Sequence, residues 1–578
     1  MRTPPPAPPS RWVMKPTDNA VVDAIRGGLD VEHATAEALA RRGIATAEEA
    51  DAFLHPSMAL LHDPHLMRDL DAAVERIRRA LSDKETILVH GDYDVDGLAA
   101  TGLLVRCLSL LGGTVRAHIP DRLREGYGLS DGLAEIAAQA GASLVISCDC
   151  GVRAGTIATS LRERGIDLVV TDHHEPDGEL PRACAVVDPK RDDCGYPFKD
   201  LAGVGVAFKV CQALSEACGV RAANFQRAYL DLVALGTIAD VVPLLGENRV
   251  LAAHGLDQLR QTRKVGLRAL IRRAGLDGQR IDAYHVGFVL GPRLNAAGRI
   301  DHAQSALTLL MTGDRNEADS ITGRLERANQ ERQSIEAAMV TDALDRLAVD
   351  RGYADGDPIV VLAAEGWHRG VAGLVAGAIR ERYGRPAFVL CIEDGIAVGS
   401  ARGVDGLSLS DAVDSAGDLI SHGGGHAMAA GVTLPAENIG AFRRAVNEYA
   451  RTVLGNDELA PTHAYEAELE PDQITVRLTN QLQLLAPFGQ GNPRPAFVTR
   501  GLAVEYAYTF GRQNRHLKIG LSAAGRTING LLYRRGDRLP EVQPGMRLDV
   551  LYTLRTEVRS GVAQLELVLQ DMRRSDAA

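Results

Sequence analysis

Between residues 86 and 188 the chain alternates short, mostly apolar runs with stretches of helical period. "TILV" (86–89), "VRAHIP", "SLVISC", "DLVVT" and "ACAVVD" are the runs, and "LAATGLLVRCLSLLG", "DGLAEIAAQAG" and "AGTIATSLRERG" are among the stretches between them. A run that is apolar at successive positions has no face to give to water, so each strand must be covered on both sides. That requirement predicts a parallel sheet with helices on its two faces.

The ends of these runs carry the chemistry. "TILV" leads into "HGDYDVDG", with His90, Asp92, Asp94 and Asp96; "LVISC" leads into Asp149; "DLVVT" leads into Asp172, His173 and His174. The helical stretch "LVALGTIADVVPL" adds Asp240. In an open parallel sheet the carboxyl ends of the strands form the binding crevice. Carboxylates and imidazoles from separate segments therefore converge on one rim. Without a counter-charge, clustered carboxylates raise one another's pKa and repel. Divalent cations resolve the conflict, and oxygen and imidazole donors without thiolates suit Mn²⁺ or Mg²⁺. Cys148 and Cys150 flank Asp149, but successive strand residues point to opposite faces, so the thiols are not counted as ligands. A single Asp at a strand end is ordinarily a cap or turn residue, and one Asp-rich loop alone would also suit calcium. Repetition across the segments turns the reading toward a metal centre.

The rest of the chain divides by pattern. The proline-rich "MRTPPPAPPSRW" reads as an extended arm, followed by charged helical sequence to about residue 80. Residues 305–350 read as a long amphipathic helix with a solvated face, joining two blocks. A second alternating block runs through "PIVVLAA", "RPAFVLCI", "GIAVGSARG" and "AAGVTL". From about 462, short alternating runs with glycine-rich turns predict a small β-barrel. The formal net charge of −11 argues against a wholly electrostatic polyanion binder and leaves a local basic groove open. Eight scattered cysteines without zinc spacing, no signal peptide and no apolar run near 18 residues point to a cytoplasmic protein outside the membrane.

"HGDYDVDG", "SCDCG", "TDHH" and "GTIADVVPL" resemble the successive motifs of the DHH phosphoesterase superfamily. "GPRLNAAGR", "GWHRGVAG", "GSARG", "GGGHAMAAG" and "APFGQGNPRPAF" narrow the resemblance to the RecJ-type single-stranded-DNA exonucleases. The resemblance runs from about 50 to about 570. It implies an α/β, multidomain chain: an N-terminal arm and helices (1–80), a parallel-sheet DHH domain (81–250), a helical connector (251–350), an α/β DHH-associated domain (351–455) and an oligonucleotide-binding, OB-like barrel (460–575).

The same resemblance implies the site. His90, Asp94, Asp96, Asp149, His173 and Asp240 match ligands of two Mn²⁺ or Mg²⁺ ions, with Asp149 bridging, and His174 matches a catalytic imidazole on the substrate phosphate. Asp92 falls outside the His-x₃-Asp-x-Asp spacing; it stands with His174 among the catalytic residues, and support of a neighbouring ligand is one role open to it. Arg122, Arg293, Asn295, Arg299, Trp367, His368, Ser400, Arg402, His422 and His426 match substrate-binding positions. Trp367 and the glycine runs also fit a core and tight turns. Of these, Arg122, Arg299, Ser400 and Arg402 suit recognition of a terminal 5′-phosphate. The implied activity is 5′→3′ hydrolysis of single-stranded DNA to 5′-mononucleotides in repair and recombination, by a monomer working with single-strand-binding protein and a helicase. The rivals are a shorter nanoRNase-like DHH enzyme, which would lack the barrel, and an inactive DHH scaffold, which would have lost ligands.

Overall fold

The computed structural model describes residues 8–121, 128–300, 303–350, 356–455, 459–559 and 562–575. The chain forms two compact units: residues 14–298, 302–325 and 465–578 make the larger, and residues 1–13, 299–301 and 326–464 the smaller.

The larger unit is built on the predicted parallel sheet. Its strands lie in the order Thr114–His118, Thr86–Gly91, Leu144–Cys148, Asp167–Thr171, Ala185–Val187. The burial explains the apolar runs. Ile87, Val89, Leu144, Ile146 and Val169 enter one core with the helices Val95–Leu110, Gly203–Ala217 and Ala222–Ala239. Leu88, Val145, Leu168 and Val170 enter another with Leu133–Gln139 and Gly155–Glu163. The helix Val95–Leu110 is apolar nearly all round because it is enclosed on nearly all sides, with Leu98, Leu103, Leu104 and Leu108 fully buried. Each such leucine contributes about 1.5–3 kcal/mol in apolar burial.

The C-terminal sequence forms a ring of strands. Ala496–Phe510 pairs with His516–Ala523 and also with Arg547–Arg559, and Arg526–Leu532 and Val562–Arg574 complete the circuit. The helices Asn19–Gly28, His33–Ala40 and Ala47–Leu54 pack on it: Val22, Ile25 and Leu39 share a core with Phe497, Ile519 and Leu548. The next helix, Leu70–Ser82, belongs instead to the core of the parallel sheet.

The smaller unit has a mixed sheet ordered His422–His426, Ala429–Pro435, Ile396–Arg402, Ala387–Glu393, Val360–Glu365. Arg369–Tyr383 covers one face through Val371, Val375 and Ile379, and Ile439–Leu454 covers the other through Phe442 and Val446. The N-terminal arm ends in a strand, Arg11–Met14, that pairs with Thr462–Tyr465. The single helix expected over 305–350 is two: Gln304–Met311, whose Leu307, Leu309 and Leu310 are buried in the larger unit's core, and the connecting helix Arg315–Leu347. Ala318, Ile321 and Leu325 at its start lie in the larger unit's core, and Met339, Ala343 and Leu347 at its end in the smaller unit's.

Candidate metal centre

The strand order reverses between Thr86–Gly91 and Leu144–Cys148, so the crevice of a doubly wound sheet opens there. The chain leaves the first strand through buried Asp92 and enters a helix capped by Asp94, whose Oδ1 accepts from the amides of Asp96 (2.9 Å) and Gly97 (3.1 Å). Asp96, fully buried, accepts from Gly203 N (2.7 Å) and Val204 N (3.0 Å) at the start of the helix Gly203–Ala217, where backbone amides favour an anion. Asp149 follows the second strand with φ 62°, a left-handed conformation that Asp tolerates better than most residues. Asp240 ends the helix Ala222–Ala239.

Asp172 organises the third segment. Its Oδ2 accepts from Val152 N (2.9 Å), and its Oδ1 from His173 N (2.8 Å) and the Nδ1 of His174 (2.7 Å). Burial would push this carboxyl up, but the bonds and charge of His174 outweigh it and hold the group below its ordinary range. The acceptor fixes the Nδ1–H form of His174 and leaves Nε2 facing away.

Around these anchors the donors converge. His173 Nε2 lies 3.1 Å from Asp149 Oδ1 and 3.7 Å from Asp240 Oδ2. Three sets each have ligand atoms within 4.8 Å of one another: Asp149–His173–His174, Asp96–His173–Asp240 and Asp92–Asp94–Asp149. Close packing depends on two glycines. A Cβ on Gly203 would stand 2.6 Å from Asp149 Oδ1, and one on Gly236 would stand 2.5 Å from Asp96 Oδ1. Burial first, and then neighbouring carboxylates, push Asp96 and Asp149 well above the usual carboxylate range and Asp92 up to about 7.

The donor set fits divalent cations. Asp92 Oδ1, Asp149 Oδ1 and both ring nitrogens of His173 are buried without a hydrogen bond, an arrangement that costs stability unless something else is ligated there. Hard oxygens and imidazoles are what Mn²⁺ and Mg²⁺ take. The thiols are occupied elsewhere: Cys148 contacts Thr101 Oγ1 at 3.2 Å, Cys150 contacts the Cys148 carbonyl, and burial pushes both thiols up.

Three family models match in sequence: the DHH family N-terminal domain over residues 86–237, the DHHA1 domain over 356–452 and the RecJ OB domain over 465–571. The single-stranded-DNA-specific exonuclease RecJ of Bacillus subtilis (strain 168) is 37% identical over 563 residues, covering 97% of this chain and 70% of that protein. The chain belongs to the RecJ family. Its fold is similar to that of the Thermus thermophilus RecJ crystallised with Mn²⁺, with a TM-score of 0.81 at 33% identity over 98% of this chain and 80% of that one. The Mg²⁺ complex of the same RecJ gives a TM-score of 0.77 at 32% identity, over 98% and 78%.

The remaining RecJ motif residues distribute unevenly. His90 belongs to none of the three donor sets; its Nε2 lies 3.2 Å from the Gly128 carbonyl oxygen, and its ring lies 5.3 Å from that of His118. Asp92, which falls outside the motif spacing, shares a donor set with Asp94 and Asp149. Arg122 and the side chain of Arg299 lie outside the described residues. Arg293 and Asn295 sit half-buried on the helix Gly291–Ile300, with Arg293 Nη1 donating to the Val289 carbonyl (2.7 Å). That helix borders the centre: a Cβ on Gly298 would meet Tyr93 O at 3.5 Å, and one on Gly291 would meet Ala239 Cβ at 3.6 Å.

In the smaller unit, Trp367 is 9% exposed, packs in the core and donates through Nε1 to Asp342 (2.8 Å), in keeping with the core reading of that residue. His368 caps the helix Arg369–Tyr383 through Nδ1, accepting from Gly370 N. Ser400 and Arg402 project from one face of Ile396–Arg402, and a Cβ on Gly373 would stand 3.0 Å from Arg402 Nη2. His422 and His426 are exposed on one face of the edge strand His422–His426.

Sequence reasoning brought Asp172 to the rim without giving it a role, and did not assign Asp188 to the site. Asp188 is buried with Oδ2 lacking a hydrogen bond, and burial lifts it to about 7. The available signal was positional: both close an apolar run, as Asp149 does.

Proposed function

We propose that the chain is a single-stranded-DNA-specific exonuclease that hydrolyses phosphodiester bonds 5′→3′ and releases 5′-mononucleotides. The observation that supports it most is the buried donor cluster at the switch point of the sheet, in which Asp92 Oδ1, Asp149 Oδ1 and both ring nitrogens of His173 lack hydrogen-bond partners. We assign Asp92, Asp94 and Asp149 to one divalent ion and Asp96, His173 and Asp240 to the other, with Asp149 common to both. His90 we assign to the support of the Gly128 turn. Bound Mn²⁺ or Mg²⁺ supplies an activated water and neutralises charge on the phosphodiester.

The protein's own groups do the rest. Asp172 holds the Nδ1 proton of His174, so a protonated His174 presents Nε2–H to a phosphate or leaving oxygen. Gly203 and Gly236 keep space free at the carboxylates. Ser400 and Arg402 are the groups we assign to the 5′-phosphate, which a guanidinium reads bidentately.

The reading takes the chain to act as a monomer. All eight cysteines are free thiols, which supports a reducing cytoplasm, and among the described residues no helix is long and apolar enough to cross a membrane. We place single-strand-binding protein and a helicase upstream, since each delivers the single strand consumed here. The test is product analysis on a single-stranded oligonucleotide labelled at its 3′ end. Stepwise shortening from the 5′ end with release of mononucleotides is expected; internal cuts, or no release with Mn²⁺ or Mg²⁺, would overturn the proposal.

A further inference from the structure

The helical segment leading into Gly291–Ile300 carries two aromatic rings that belong neither to the donor cluster nor to a core. Tyr284 and Phe288 lie one turn apart, before and within the π-turn Val286–Leu290, with centroids 5.0 Å apart and planes inclined by 24°. They are 59% and 71% exposed. Scattered single apolar residues are normal on a surface, but a stacked pair of rings left in water is not. Helix stability does not account for it, since an i,i+4 aromatic pair supports a helix only weakly.

Their position does. Val286 and Leu290, on the same segment, are fully buried in the core of the parallel sheet. The π-turn packs on the helix Ala222–Ala239, and Gly291 abuts Ala239, the residue before Asp240. Phe288 and Tyr284 precede that contact by three and seven residues on the same helical segment. On the other side of Asp240, Val241 is 63% exposed at φ 65°, a conformation that a β-branched residue adopts only under constraint. The flank of the carboxylate cluster is thus apolar and open.

We infer that Tyr284 and Phe288 form a stacking platform for nucleobases of the strand being degraded. This rests on the proposed function. The rings offer π-faces and no positive charge, so they suit bases and not phosphates, and stacking of this kind tolerates any sequence. Continuity with the metal centre, through Gly291 and Ala239, selects the substrate strand over a protein partner.

The test measures binding of 5′-phosphorylated oligonucleotides by fluorescence anisotropy. The intact chain is compared with Tyr284→Ala/Phe288→Ala, using natural strands and strands made abasic at one position at a time. The double variant should bind the natural strand about ten- to a hundredfold more weakly. One or two adjacent abasic positions should weaken the intact chain by a similar factor and leave the variant's affinity unchanged. Tyr284→Phe, which keeps the ring, should bind like the intact chain. An intact chain that degrades the strand but is indifferent to abasic positions overturns the platform. So do losses from variant and abasic site that simply add, which would indicate a protein contact or general surface effect. An intact chain that degrades no strand at all sinks the proposed function instead.

Discussion

Asp149 shows how one residue is constrained from several sides. Its backbone is left-handed, its Oδ1 stands against Gly203 and 3.1 Å from His173 Nε2, and burial with neighbouring carboxylates pushes its pKa well up. Asn tolerates that backbone better than Ala does, so Asp149→Asn isolates the charge. It should cut turnover at least about a hundredfold, a loss of about 2.7 kcal/mol or more in transition-state stabilisation, while unfolding in chelator at the same or a higher temperature. The charge of the cluster also sets a pH dependence. Asp92, Asp96 and Asp149 have folded-state pKa values raised above their unfolded ones, so their stability is fully present below about pH 4 and lost as pH rises through the folded values, about 7 for Asp92. Asp172 is shifted the other way and matters only in acid. In chelator the melting temperature should therefore fall between about pH 5 and pH 8, and Mn²⁺ should remove that fall. A melting temperature rising over that range in chelator would contradict the electrostatics. At this scale the sequence was legible where an acid or imidazole closes an apolar run. It was not legible for the pairing of Asp172 with His174, which depends on side-chain torsions.

Among the elements, the helices that abut the carboxylates need glycine where helices ordinarily prefer alanine. Gly→Ala within a helix ordinarily stabilises by about 1 kcal/mol. At Gly236 the added methyl meets Asp96 Oδ1 and Val204, so Gly236→Ala should forgo that gain and weaken Mn²⁺ binding about 10- to 100-fold, measured by calorimetric titration. Unchanged affinity would mean that the carboxylate can move aside at little cost. In the smaller unit, the glycine face of Arg369–Tyr383 receives the guanidinium of Arg402. Losing a charge-assisted contact costs about 2–3 kcal/mol, so Arg402→Ala should slow degradation of a 5′-phosphorylated strand about 30- to 150-fold and of a 5′-hydroxyl strand far less. Equal losses on both would assign Arg402 to interior phosphates. The strands and most helices followed from period and apolar runs. What local period could not say was which surface an amphipathic helix covers: Val22 and Ile25 face the barrel, 440 residues or more away in sequence, whereas Val74 and Ile77 face the parallel sheet.

For the whole molecule, the formal net charge of −11 means that no overall positive field draws the proposed polyanionic substrate in, so local groups must hold it. The order of blocks along the chain was readable, since each changes its apolar period. The central claim is that this one cluster holds two divalent ions and that cleavage of single-stranded DNA depends on both. Equilibrium titration of Mn²⁺ with the intact chain and with Asp149→Asn, with mononucleotide release followed in the same samples, tests it most directly. Two ions per intact chain are predicted, with release rising as the second is bound, and fewer than two ions with no release for Asp149→Asn. Release in excess chelator, or intact-like turnover by Asp149→Asn, would contradict the claim.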